Sequence, residues 1–134
     1  MSFISWTDEL SVQIPSIDEQ HKTLIGIINN LYDSMHEGKA NAGMRKVLAD
    51  LAHYTITHFS YEERLFRQYA YPQAPSHQNS HSSLVAQLQE LQKQSNAGAP
   101  ISLKTFGFLK KWLTEHIMKD DRSYSEFLRS KGVR

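Results

Sequence analysis

Four long segments of the chain repeat apolar residues every three or four positions, and stretches rich in Pro, Gly and Asn separate them. This spacing predicts helices over about residues 17–37, 41–69, 75–95 and 102–120. The connections between them are short, which favours antiparallel neighbours. The predicted fold is therefore all-α: an up-down-up-down four-helix bundle in one domain that spans residues 1–134.

The two ends of the chain also carry structural signals. Residues 1–15 contain Trp6, Leu10, Val12 and Ile14, which predict an ordered N-terminal arm packed on the bundle. The stretch from Ser123 to about Arg129 predicts either a short fifth helix at the C-terminus or an extension of the fourth.

Histidine is frequent in this chain, with seven in 134 residues, and two helical pairs have the spacing of metal ligands. His58 and Glu62 stand four residues apart in the second predicted helix. His77 and His81 have the same spacing in the third. Because residues four apart lie on the same face of a helix, each pair could share one metal ion.

Two further histidines lie on apolar stripes, His21 near the start of the first helix and His116 near the end of the fourth. In an up-down-up-down bundle, the start of the first helix and the end of the fourth lie at the same end as the two pairs, so all of these side chains are expected to be close together. A single histidine on an apolar face is more often a core residue than a ligand. Five buried imidazoles at one level would each need a hydrogen-bond partner, and a metal centre meets that demand. The remaining histidines, His36 and His53, point elsewhere and are predicted to be structural or surface residues.

The number of ligands favours two metal ions over one. Two six-coordinate ions offer about twelve positions. Five histidines, two carboxylates that each bridge both ions, and one bridging oxygen from solvent would fill all but one of them. A single open position in an apolar pocket suits a small diatomic ligand. Imidazole suits several metals, so ligand type alone leaves zinc open beside iron.

The motifs of this chain resemble those of the hemerythrin family, and in particular of its bacterial single-domain members, the bacteriohemerythrins. The resemblance covers almost the whole chain, and its motifs are specific when taken together. The segments that carry it are Ile4-Ser5-Trp6, Ile17 to Lys22, His58-Phe59 with Glu62-Glu63, His77-x-x-x-His81, and Trp112-Leu113-x-x-His116-Ile117-x-x-x-Asp121 with Tyr124.

The resemblance implies a non-heme di-iron protein that binds molecular oxygen reversibly, for storage, transport or delivery, and that is not an enzyme. One iron ion would be held by three histidines and the other by two, with two carboxylates and an oxo or hydroxo group as bridges. Oxygen would bind end-on, as a hydroperoxide, at the iron held by two histidines. The implied ligands are His77, His81 and His116 for one ion, His21 and His58 for the other, and Glu62 and Asp121 for both.

Spacing and resemblance disagree about the bridging aspartate. Asp120 stands four residues after His116 and Asp121 five, and the fifth position is rotated by about 140° in a regular α-helix. Helical geometry therefore favours Asp120, whereas the family motif, continued by Arg122-Ser123-Tyr124, favours Asp121. We predict Asp121, with a local loosening at the end of the fourth helix that supplies the missing rotation.

An apolar pocket is predicted around the open position. Its lining would be Phe59, Trp112, Leu113 and Ile117, with Leu24 and Ile28 as further candidates. The same side chains could equally be ordinary core residues, and the two roles are compatible. A dry pocket would limit the access of water and protons to bound oxygen.

Composition narrows the range of partners and compartments. The net charge is +1 and the basic residues are dispersed, which predicts no nucleic-acid partner. The N-terminus does not resemble a signal peptide, and no apolar stretch approaches the ~20 residues of a membrane span, so we expect a cytoplasmic protein without a membrane partner. The sequence contains no cysteine and therefore no thiolate ligand.

Two other functions stay open at this point. One is a di-iron oxidase or peroxidase, an enzyme on a similar bundle. Such sites generally contain Glu-x-x-His motifs, which this sequence lacks, and five histidines against two carboxylates favour binding over oxidation. The other is an oxygen or redox sensor that acts through a separate partner. An oxygen-consuming partner protein is not identified by the sequence.

Overall fold

The computed structural model describes residues 3–36, 41–98 and 103–134, and its regular structure over these ranges is helical. The predicted all-α, four-helix bundle is confirmed. A π-helical segment, His116–Asp121, joins the fourth bundle helix to a fifth helix, and a short 3-10 turn, Asp8–Leu10, precedes the first. The helices are α1 (Pro15–His36), α2 (Asn41–Tyr69), α3 (Ala74–Asn96), α4 (Leu103–Glu115) and α5 (Arg122–Ser130).

The described helix ends differ from the predicted ones by more than one residue at two places. α1 begins at Pro15, two residues earlier than predicted, because the fixed φ angle of proline suits the first position of a helix. α4 ends at Glu115 instead of continuing to residue 120, since the backbone changes to π-helical geometry at His116. The predicted boundaries at residues 37 and 102 lie outside the described residues.

A tight connection between α2 and α3 brings the end of one helix beside the start of the next. Ala70 has a left-handed backbone conformation, with φ of 54°, which ends α2. The N–H group of Tyr71 then donates to the carbonyl oxygen of Phe66 at 2.9 Å, a hydrogen bond typical of this kind of helix end. Pro72 cannot continue the helix. α2 and α3 therefore run antiparallel and in contact.

The N-terminal arm packs on the bundle over its described residues, 3–14. The side chain of Asn29 in α1 accepts a hydrogen bond from the backbone N–H of Ile4 at 2.8 Å and donates one to its carbonyl oxygen at 2.9 Å. The ring of Phe3 stacks on Tyr32, with 4.3 Å between centroids. Val12 and Ile14 are buried. The arm thus covers one side of the bundle.

Apolar side chains fill the bundle away from one end, where buried polar residues collect. The core includes Leu24, Ile28, Leu31, Leu48, Leu51, Leu88, Phe106 and Leu109. Toward the end at which α1 and α3 begin, buried histidines and carboxylates replace these apolar residues. None of the described helices is long and apolar enough to cross a membrane.

The two hydrogen bonds of Asn29 yield a test of how the arm is attached. We expect Asn29→Ala to lower the free energy of unfolding by about 1–2 kcal/mol relative to Asn30→Ala, because only the first substitution removes bonds to the arm. Asn30 is exposed in the same helix and controls for the change in helix propensity. Urea unfolding measures the difference. Equal losses in the two variants would show that Asn29 does not anchor the arm.

Candidate metal centre

Two buried carboxylates occupy the centre of the polar cluster. Glu62 comes from α2 and Asp121 from the π-helical segment, and the side chain of each is fully inaccessible to solvent. Buried carboxylates are rare unless they are paired with cations or bind a metal. Five imidazoles surround these two.

Three histidines face the same oxygen atoms of the two carboxylates. Nε2 of His77 lies 3.0 Å from Oδ1 of Asp121 and 3.6 Å from Oε1 of Glu62. Nε2 of His81 lies 3.0 Å from Oε1 of Glu62. Nε2 of His116 lies 3.0 Å from Oδ1 of Asp121. These three imidazoles therefore form one group, which shares one oxygen of each carboxylate.

The other two histidines face the opposite oxygen atoms. Nε2 of His21 lies 2.9 Å from Oδ2 of Asp121 and 3.9 Å from Oε2 of Glu62. Nε2 of His58 lies 3.3 Å from Oε2 of Glu62. The two imidazole Nε2 atoms are 3.1 Å apart. Each carboxylate thus presents one oxygen to the three-histidine group and the other to the two-histidine group.

All seven predicted site residues meet at this end of the bundle. They form two overlapping sets of potential ligands, within each of which the ligand atoms lie no more than 4.8 Å apart. The sets share the two carboxylates: one consists of Glu62, His77, His81, His116 and Asp121, and the other of His21, His58, Glu62 and Asp121. His53 is exposed on α2, and the side chain of His36 lies outside the described residues.

The π-helical segment places Asp121 in the cluster. Its end is marked by a hydrogen bond from the N–H of Arg122 to the carbonyl oxygen of Ile117, five residues earlier. In this geometry the fifth residue after His116 turns back toward it, whereas a regular α-helix would direct that residue away. The structure thus contains the local loosening that the motif spacing requires. The side chain of Asp120 lies outside the described residues.

The donor atoms of the cluster fit a pair of metal ions. Several of its buried polar atoms have no hydrogen-bond partner of suitable geometry among the described residues, although they lie close together: Oε1 of Glu62, both oxygens of Asp121, and Nε2 of His77 and of His81. Buried polar atoms are rarely left in this state, and bound ions would satisfy them. Imidazole nitrogens and carboxylate oxygens are ligand types that iron accepts.

A second layer of polar contacts orients the inner side chains. Nδ1 of His58 lies 2.6 Å from the amide oxygen of Gln20, so this nitrogen donates and Nε2 keeps its lone pair for the cluster. The hydroxyl of Tyr124 donates a hydrogen bond to Oε2 of Glu62. Nδ1 of His81 lies 3.6 Å from the carboxylate of Glu63. Sequence reasoning assigned no role to Gln20, although it directly precedes His21 in the N-terminal motif.

The residues predicted to line an oxygen pocket are all buried near the cluster. The ring of Phe59 stacks on that of His81, with centroids 3.8 Å apart and planes 3° from parallel. The indole N–H of Trp112 donates to the carbonyl oxygen of Leu84 at 3.3 Å. Leu113 and Ile117 are buried, as are Leu24 and Ile28. Their role as the lining of a ligand pocket stays a prediction.

Charges in the cluster shift the pKa values of its carboxylates downward. Burial alone would raise the pKa of Glu62, but the charge and close contact of His58 hold it well below the ordinary value. Burial and the charge of Glu62 would also raise the pKa of Asp121, and contacts with His116 and His21 lower it instead. Both carboxylates are therefore ionised at neutral pH, as metal ligands must be.

The same contacts raise the pKa values of two histidines. Burial would lower the pKa of His77, but its contacts with Asp121 and Glu62 raise it to about 9. Burial would likewise lower the pKa of His58, and the charge of Glu62 raises it overall. The pKa of Tyr124 is raised far above 10 by burial and by the charges of Asp121 and Glu62, so its hydroxyl remains a donor.

These shifts predict how the stability of the metal-free protein depends on pH. A histidine whose pKa is higher in the folded than in the unfolded state stabilises the folded state when it is protonated. This contribution is fully present below the pKa of the unfolded state, about 6.5, and is lost as the pH rises through the pKa of the folded state. We therefore expect the free energy of unfolding to fall between about pH 6.5 and 9, the interval set by His77. Urea unfolding at several pH values tests this. A value that rises or stays constant over that interval would contradict it.

The contact between Gln20 and His58 predicts an effect on metal affinity. Gln20→Met keeps the size of the side chain but removes the acceptor for Nδ1 of His58. We expect the affinity for the more weakly bound ferrous ion to fall by roughly 10–100-fold, as is common when a partner of a ligating histidine is lost. Anaerobic competition with a chelator measures this. Gln68→Met, at an exposed position of α2, is the control, and equal affinities in both variants would refute the prediction.

Comparisons with known proteins agree with this geometry. The family model described as "Hemerythrin HHE cation binding domain" matches residues 12–128. Bacteriohemerythrin from Pseudomonas aeruginosa is 33% identical over 129 residues, covering 96% of this chain and 84% of that protein. Bacteriohemerythrin from Methylococcus capsulatus is 32% identical over 130 residues, covering 96% and 98%. A crystal structure of wild-type hemerythrin matches with a TM-score of 0.88 and 31% identity, over 95% of this chain and 98% of that chain. The chain belongs to the hemerythrin family.

Proposed function

We propose that this protein binds molecular oxygen reversibly at a pair of iron ions, and that it stores, transports or delivers oxygen. One observation carries the proposal. Glu62 and Asp121 each present one oxygen atom to three histidines and the other to two. Such a division suits two neighbouring ions with unequal numbers of protein ligands.

The unequal division leaves the two-histidine side one ligand short. If both ions take six ligands, the three-histidine side is complete once a solvent-derived bridge is added, and the other side has one open position. When bound, the iron pair supplies that open position and the electrons for oxygen binding. The imidazoles outnumber the carboxylates, which favours reversible binding over the oxidation of an organic substrate. The activity we propose is therefore that of a carrier and not of an enzyme.

The surrounding residues hold the site and keep it dry. Gln20 orients His58, and the hydroxyl of Tyr124 holds Glu62 in place. Tyr124 itself is fully buried and therefore adds no path for water. Leu113, which is 2% exposed and stands three residues before His116, would help to exclude water from the interior of the bundle. An enclosed site of this kind limits proton transfer to bound oxygen.

The names of the related proteins support the same proposal. Bacteriohemerythrins match nearly the full length of this chain, and a myohemerythrin from Riftia pachyptila is 30% identical over 119 residues. The seven clustered side chains are present here as a complete set, so this chain has the residues that such a site would need.

An oxygen titration of the ferrous protein tests the function. The protein is loaded anaerobically with ferrous iron, its metal content is measured, and visible spectra are recorded under air and again under argon. We expect two iron ions per chain and an absorption band that forms in air, disappears under argon and returns in air. Glu90→Gln, at an exposed position of α3, should behave as the wild type, whereas Glu62→Gln should lose the band, because Glu62 lies between the two histidine groups and Glu90 does not.

Other outcomes of this titration would contradict the proposal. A band that decays rapidly while an added substrate is oxidised would indicate an enzyme. Zinc retained in place of iron, or a single ion per chain, would remove the basis for oxygen binding.

The size of the side chain at position 113 is expected to affect the lifetime of the oxygenated state. Leu113→Ala opens a cavity that admits water next to the site, so we expect faster autoxidation, by roughly tenfold or more. Leu109→Ala is the matched control, because Leu109 is also buried in α4 but lies one turn farther from the cluster. The decay of the oxygenated spectrum in air measures the rate. Equal rates for the two variants would show that Leu113 does not protect the site.

A further inference from the structure

Thr55 is a buried residue whose hydroxyl group has no partner among the described residues. The residue lies in α2 and is 0% exposed, and within the described part of the chain Oγ1 makes no hydrogen bond. It does not donate to the carbonyl of Leu51, four residues earlier, which is the usual bond of a helical threonine. Three other helical threonines make that bond, at 2.8 to 3.1 Å: Thr23, Thr57 and Thr114.

Thr55 belongs to the layer of side chains directly beneath the metal ligands. The chain runs away from the metal site in α1 and toward it in α2 and α4. A residue that follows a ligand by three positions in α1, or precedes one by three positions in α2 or α4, therefore lies about 4.5 Å closer to the middle of the bundle than the ligand does. The positions are Leu24 after His21, Thr55 before His58, and Leu113 before His116. All three are buried, and Thr55 is the only polar residue among them.

An unpaired hydroxyl in this layer needs a physical reason. Burying a hydroxyl without a hydrogen bond costs free energy, and valine would fill nearly the same volume without that cost. This layer is adjacent to the two-histidine group, because Leu24 stands three positions from His21 and Thr55 three positions from His58, each toward the middle of the bundle. A small guest in this layer would therefore lie within reach of both the open position and the hydroxyl.

We infer that the hydroxyl of Thr55 donates a hydrogen bond to the oxygen molecule held beneath the two-histidine group and so slows its release. The inference rests on the proposed function and adds a residue that sets how tightly oxygen is retained. A threonine hydroxyl is both a donor and an acceptor, whereas the side chains of Leu24 and Leu113 are neither. If the iron pair donated electrons to oxygen, the oxygen would carry negative charge, and hydrogen bonds to charged acceptors are stronger than those to neutral ones.

The rate of oxygen release tests this role. The oxygenated wild type and its variants are mixed in a stopped-flow instrument with an oxygen scavenger, and the decay of the visible band is followed. We expect release from Thr55→Val to be roughly fivefold to tenfold faster than from the wild type, the effect of losing one hydrogen bond. Thr55→Ser, which keeps a hydroxyl, should remain within about twofold of the wild type. Thr57→Val is the matched control on the exposed side of the same helix and should leave the rate unchanged.

A second measurement, on the metal-free protein, separates this role from a structural one. Because Oγ1 has no hydrogen-bond partner among the residues that the structure describes, Thr55→Val should melt at the same temperature as the wild type or higher. A lower melting temperature would reveal a structural hydrogen bond and overturn the inference. Unchanged oxygen release from Thr55→Val, in a wild type that binds oxygen reversibly, would also overturn it but leave the proposed function intact. A wild type that binds no oxygen would overturn both.

Discussion

The structure depends on the burial of two carboxylates, Glu62 and Asp121, among five imidazoles. Neither carboxylate has access to solvent, and each would be costly to bury alone. His77 and His58 offset that cost without metal by carrying protons, since contacts with the carboxylates raise the pKa of His77 to about 9 and that of His58 above its ordinary value. Metal ions would replace those protons, so that folding and metal binding draw on the same contacts.

The geometry around the carboxylates accounts for the less regular parts of the fold. The tight connection after α2 brings Glu62 next to the histidines of α3. The π-helical segment turns Asp121 toward the same point, at the cost of interrupting the last bundle helix. Gln20 fixes the ring of His58 from outside. A regular helix in place of either the connection or the π-helical segment would move a ligand out of the cluster, which explains why both lie at the site end of the bundle.

Much of this arrangement could be predicted from the sequence, because helical periodicity and helix order are sufficient to gather the histidines. The pairs His58–Glu62 and His77–His81 are visible as four-residue spacings, and bundle topology places them at one end. The choice of Asp121 as the bridging carboxylate depended on the family motif, since regular helical spacing favours Asp120. The contact of Gln20 with His58 and the unpaired hydroxyl of Thr55 depend on how side chains from separate segments meet, which no local pattern records.

The most direct test for a pair of iron ions in this cluster is anomalous X-ray diffraction at the iron absorption edge from crystals of the iron-loaded protein. We expect two anomalous peaks per chain, one beside the three-histidine group and one beside the two-histidine group, with Glu62 and Asp121 each contacting both. A single peak, or two peaks that do not share these carboxylates, would contradict the claim on which the proposed function depends.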